Sequence, residues 1–142
     1  MALELHSQVS GAGKPLVILH GLFGSATNWR SMARLLAADY EVHALDLRNH
    51  GASPWAEGMT YTAMADDVRQ YIAKHKLPPV SMMGHSMGGK TAMALALTHP
   101  ERVERLIVVD IAPRRYSDGL SNYALAMGSF DLMAAASRGE VQ

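Results

Sequence analysis

"PVSMMGHSMGGKTAMALAL", residues 79–97, decides how the chain is read. Val80–Gly84 is a short apolar run of strand type. Met87–Thr98 is apolar almost all round, the pattern of a helix set deep against a sheet. The glycine-rich break between them satisfies two signatures at once. Gly84-His85-Ser86-Met87-Gly88 is G-x-S-x-G, which stands a serine on a sharp strand-to-helix turn. Gly84–Thr91 is also G-x-x-x-x-G-K-T, in which backbone amides cradle phosphates, Lys90 meets the β/γ-phosphates and Thr91 holds Mg²⁺. Both chemistries need strand, tight turn and helix, so the turn alone leaves them open, beside a third possibility of a glycine-rich turn with no chemistry.

Outward from this turn, apolar runs alternate with helical patterns, the order of an α/β fold with a mainly parallel sheet and flanking helices. Strands are expected at residues 3–8, 16–19, 40–47, 80–84 and 103–110. Asn28 is placed to cap a helix over residues 29–38, and Thr60 to cap a second. In the second, Tyr61, Met64, Ala65, Val68, Tyr71 and Ile72 share one helical face, and Pro78-Pro79 stop it. Residues 1–115 are expected to form the core of one domain. Residues 116–142 carry no strand pattern and are expected to open a helical cap or an irregular helical tail.

Composition narrows the function classes. With 13 basic and 13 acidic residues the formal net charge is +0, and no run of one sign favours nucleic acid or an anionic membrane as a partner. No cysteine is present, which removes disulfides and thiolate metal sites and fits a reducing compartment. The N-terminus "MALELHSQVS" lacks the basic and apolar regions of a signal peptide, so a cytoplasmic location is expected. No H-E-x-x-H or similar spacing links the seven histidines, and no metal or other cofactor is expected.

The loops after the other strands separate the two chemistries. Acyl transfer at a serine needs a second oxyanion donor from the loop after an earlier strand, and "LVILHGLFGS" supplies one in the Leu22 N–H, beside that of Met87 at the helix start. A phosphate loop has no use for that feature. "DLRNHGAS", residues 46–53, falls at the same carboxyl edge of the sheet, where α/β proteins bind ligands. The serine chemistry is therefore preferred, with the phosphate loop as the alternative.

Together, "LVILHGLFGSATNW", "ALDLRNHGAS", "MGHSMGGKTAMALAL" and "LIVVDIAP" resemble the α/β-hydrolase superfamily, and within it the YbfF-like and abhydrolase-domain-11-like esterases. The resemblance implies a serine carboxylesterase for small, short-chain esters. Ser86 would be the nucleophile, Leu22 and Met87 the oxyanion donors, and Asp110 the acid. It also implies a cap, further strands and a triad histidine beyond residue 142, so the chain reads as the N-terminal part of such a fold without its last strands. His20, His50 and His85 lie at the catalytic edge as possible substitute bases, each more simply a residue that stabilises its own loop. Phe23 and Trp55 are possible substrate contacts, and Asp46 and Arg48 a possible loop-bracing pair. The open edge of the last strand predicts a homo-oligomer. An inactive hydrolase fragment is the other alternative.

Overall fold

The computed structural model describes residues 1–115; the expected cap segment, 116–142, lies outside the described residues. Five strands, β1 (Ser7–Ser10), β2 (Lys14–Leu19), β3 (Tyr40–Leu45), β4 (Val80–His85) and β5 (Val103–Val109), form one sheet in the order β1-β3-β2-β4-β5. β1 runs antiparallel to β3, and all other pairs are parallel. The helices are α1 (Arg30–Leu36), α2 (Tyr61–Lys74) and α3 (Met87–Thr98). Among the described residues no helix is long and apolar enough to cross a membrane.

Alternation along the strands divides the core between the two faces of the sheet. Val17 and Leu19 of β2 point to one face, where they pack with Leu45, Val80 and Met82 against Met64, Val68 and Ile72 of α2 and Leu95 of α3. Leu16 and Ile18 point to the other, with Val42 and Ala44, against Ala26, Ala33 and Trp29. Each such fully buried aliphatic side chain contributes about 1.5–3 kcal/mol of transfer free energy. Strand register then aligns the functional loops. Leu19 pairs with Leu45 on one side and Gly84 on the other, and His85 pairs with Val109. The residues that follow, His20, Asp46, Ser86 and Asp110, therefore leave the sheet side by side at its carboxyl edge.

The helix expected at 87–98 and the Thr60 cap are present, with Thr60 Oγ1 accepting the Ala63 N–H at 3.1 Å. Three expectations need correction. β1 starts at Ser7 rather than Leu3, because the N–H groups of Leu3 and His6 go to side chains, Asp67 Oδ1 and Ser53 Oγ, leaving only the His6 carbonyl to accept the Asp46 N–H at 2.9 Å. Asn28 does not cap a long helix. Its Oδ1 accepts the Ser25 N–H at 2.7 Å across a 3-10 turn, Ala26–Trp29, and the α-helix proper begins only at Arg30. Asp46 and Arg48 do not pair with each other.

Their side chains go to opposite faces of the sheet. Arg48 forms a buried two-pronged pair with Asp67 of α2, Nε to Oδ2 at 2.6 Å and Nη2 to Oδ1 at 2.8 Å, and also donates to the Gly58 carbonyl. Asp46 instead accepts the Ala26 and Ala52 N–H groups and bonds the His6 ring. Burial alone would raise the Asp46 pKa, but these hydrogen bonds outweigh it and hold the carboxyl below its ordinary value. Together the two acids fasten the 46–58 loop, one to each side of the sheet.

Candidate active site

Ser86 stands between β4 and α3 with φ 50° and ψ −113°, a conformation a non-glycine residue adopts only where its surroundings enforce it. Glycines supply the enforcement. A Cβ on Gly84 would strike the Gly88 carbonyl, and one on Gly88 would fall 2.5 Å from the Leu19 carbonyl oxygen and 2.6 Å from that of His20. α3 is thereby pressed onto the end of β2. Ser86 is tied at both its backbone groups: its N–H donates to the Val109 carbonyl at 3.0 Å, and its carbonyl accepts the Lys90 N–H at 3.1 Å.

This geometry removes the phosphate-loop alternative. α3 begins at Met87, so the residues that would wrap a phosphate are already helical. Thr91 is fully buried, and its hydroxyl donates to the Met87 carbonyl at 3.0 Å, while Lys90 Nζ donates to the Arg114 carbonyl and lies over the Tyr61 ring. Thr91 is thereby withheld from any Mg²⁺ contact.

The Met87 amide occupies the first position of α3, where an N–H has no partner within the helix and the helix dipole favours negative charge. Across from it, Gly21 approaches so closely that a Cβ there would lie 2.8 Å from His85 Nδ1 and 3.5 Å from Ser86 Cβ. Leu22, the next residue, borders the same cleft as Ser86 and Met87. That cleft, about 390 Å³, is walled by Phe23, Met59, Tyr61, Met64, Lys90 and Ile111 as well. A second cleft of about 450 Å³ lies on the other side of the 21–24 loop, between His20, Asn28, Trp29 and His85. Phe23 borders both clefts at φ 61°, whereas Trp55, 80% exposed, borders neither.

The sequence missed Met59, Tyr61, Met64, Lys90 and Ile111 as cleft walls. Tyr61 and Met64 were legible only as members of an apolar helix face. The helix turns out to bury Met64 fully and leave Tyr61 at the mouth.

Asp110 follows β5 at φ 57°, and its side chain is 85% exposed. Among the described residues its ionisable partner is His85, whose Nε2 lies 3.8 Å from its Oδ2. The His85 ring also meets Trp29 edge-on at 6.3 Å. His20 is buried with both ring nitrogens engaged: Nδ1–H donates to the Gly21 carbonyl at 2.7 Å, and Nε2 accepts the Leu47 N–H at 3.0 Å. Burial lowers its pKa, against the opposing pull of the Gly21 bond, so the neutral ring is favoured. His50 is likewise engaged at both nitrogens, with Nδ1 on the Arg48 carbonyl at 2.9 Å and Nε2 on the Phe23 N–H at 3.2 Å. Neither ring has a lone pair to offer Ser86. Among the described residues, which include all seven histidines, none hydrogen-bonds the Ser86 hydroxyl.

Comparison with known proteins agrees with this arrangement. The family described as the alpha/beta hydrolase fold matches residues 14–139. An sn-1-specific diacylglycerol lipase ABHD11 from Xenopus tropicalis is 48% identical over 122 residues, covering 83% of this chain and 38% of the lipase. Esterase YbfF from Escherichia coli is 42% identical over 102 residues, covering 72% of this chain and 40% of the esterase. A solved esterase from a marine microorganism superposes with a TM-score of 0.89 at 43% identity, over 99% of this chain and 56% of its own. The chain thus spans about two-fifths of the length of these curated relatives. A strained serine at a glycine-clamped turn and a mainly parallel sheet accompany that match, and the chain belongs to the α/β-hydrolase fold family.

Proposed function

We propose that the chain carries the nucleophile half of a serine carboxylesterase for small, short-chain esters. Ser86 Oγ attacks the ester carbonyl, the Leu22 and Met87 amides hold the oxyanion, and the alcohol leaves as the acyl-serine forms. Water then attacks the acyl-serine and releases the acid. Asp110 orients the histidine that moves the protons, and no histidine follows Asp110 in this sequence. The observation that carries the proposal is the left-handed backbone of Ser86 between Gly84 and Gly88. The relatives' names as lipase and esterase support the reaction class.

Hydrolysis of p-nitrophenyl acetate by the wild type and Ser86→Ala tests it. Loss of a triad histidine costs on the order of 10⁶ in kcat, while an oxyanion hole and binding retain ~10³–10⁴ over water. Slow turnover that disappears in Ser86→Ala is the expected result, and equal rates for the two proteins would contradict it.

A second proposal concerns association. Among the described residues β5 pairs only on its β4 side, and Leu97, Leu106, Ile107 and Val109 are exposed. Self-association through this edge follows from its unpaired backbone groups. A monomeric mass by light scattering across the micromolar range would refute it.

A further inference from the structure

The 21–24 loop has to hold the Leu22 amide in place while its neighbour Phe23 sits in the left-handed region at φ 61° with an exposed ring. Two imidazoles grip it from opposite ends. His20 Nδ1–H takes the Gly21 carbonyl, which also accepts the Gly24 N–H at 3.0 Å. His50 Nε2 takes the Phe23 N–H, and its Nδ1–H is anchored on the Arg48 carbonyl. The peptide units on both sides of Leu22 are thus fixed by histidines, whose rings touch at 4.9 Å. The second grip works only while His50 Nε2 is unprotonated, since an N–H cannot accept the Phe23 N–H.

We propose that His50 is a positioning residue of the oxyanion hole: its ring Nε2 latches the Phe23 peptide and through it the Leu22 amide. The proposal rests on Leu22 being an oxyanion donor. The His20 ring lies against the His50 ring from the end of β2, and on the His50 loop itself the Arg48 guanidinium is turned onto Asp67.

The test uses amide hydrogen exchange by NMR, with the Ser86 amide as an internal reference. His50→Ala should lower Phe23 protection on the order of five- to tenfold, the worth of one hydrogen bond. His50→Gln, whose side-chain oxygen can accept the same N–H, should keep it. Phe23 protection that is indifferent to His50→Ala would overturn the latch, whether or not the chain hydrolyses esters.

Where Ser86-dependent hydrolysis is measurable, His50→Ala should lower kcat on the order of tenfold with little change in KM, because an oxyanion donor acts in the transition state. His50→Gln should restore kcat. An unchanged kcat in His50→Ala would overturn the link to the oxyanion hole. Turnover that does not depend on Ser86 would instead count against the esterase proposal, leaving exchange to decide the latch.

Discussion

Ser86 and Asp110 leave neighbouring strands at the same level of the sheet and in the same left-handed backbone, φ 50° and φ 57°, yet their surroundings are opposite. Ser86 is enclosed within a few residues of its own sequence: Gly84, Gly88 and Gly89 let the turn close, and β2 backs it. Asp110 faces solvent over most of its side chain. The geometry of Ser86 is therefore local, written by glycine spacing and one strand neighbour. The backbone of Asp110 is local too, and its carboxylate meets the His85 ring at 3.8 Å at an otherwise open position.

Three measurements break or sharpen that contrast. The largest effect is expected at the enclosed side. Gly88→Val places branched carbon against the Leu19 and His20 carbonyls, with no flexible neighbour to yield, and should cost about 3 kcal/mol or more by urea unfolding. Asp110→Ala should stay within about 0.5 kcal/mol. Similar losses for the two would mean that the ends of β4 and β5 are equally constrained.

Next in size is a pH effect, which belongs to the buried layer beneath the loops. Burial depresses the pKa of His20 and of His43 below the ordinary 6.5, opposed in His20 by the Gly21 bond and in His43 by Glu41. A depressed folded-state value means that the unfolded chain takes up the proton first. The stabilisation is complete above 6.5 and is lost as pH falls from there toward the folded-state values. Stability should drop by about 1–2 kcal/mol between pH 7.5 and pH 5.5; equal urea midpoints at those two pH values would contradict it.

The smallest effect is relief of strain. Ser86→Gly should raise stability by about 1 kcal/mol, the left-handed penalty less the entropy of a freer unfolded chain, while removing the proposed nucleophile. Asp110→Gly should gain a similar amount, since the penalty is local to each backbone. A gain at one position only would show that packing, rather than φ, sets the cost.

The comparison also marks what could be read without coordinates. β4, α3 and the Ser86 turn were legible because each is specified by residues within a few positions of one another. The apolar face of α2 was legible by its period, and its cap by Thr60. What escaped reading depends on partners distant in sequence. β1 begins where β3 offers a pairing edge, and the N–H groups of Leu3 and His6 are claimed by Asp67 and Ser53. Arg48 found Asp67, nineteen residues on, instead of Asp46. One signal was available: Asp67 lies on the same helical face as Met64, Val68 and Tyr71, and a carboxylate there needs a buried partner. The histidines illustrate the same limit. Position at the catalytic edge suggested bases, and only the hydrogen bonds show that His20 and His50 are committed to backbone.

The bond from the Ser86 N–H to the Val109 carbonyl ties the strained turn to the edge strand of the sheet among the described residues. Mechanically, the turn and the rim are springs in series: fraying at the last residue of β5 slackens the anchor of Ser86.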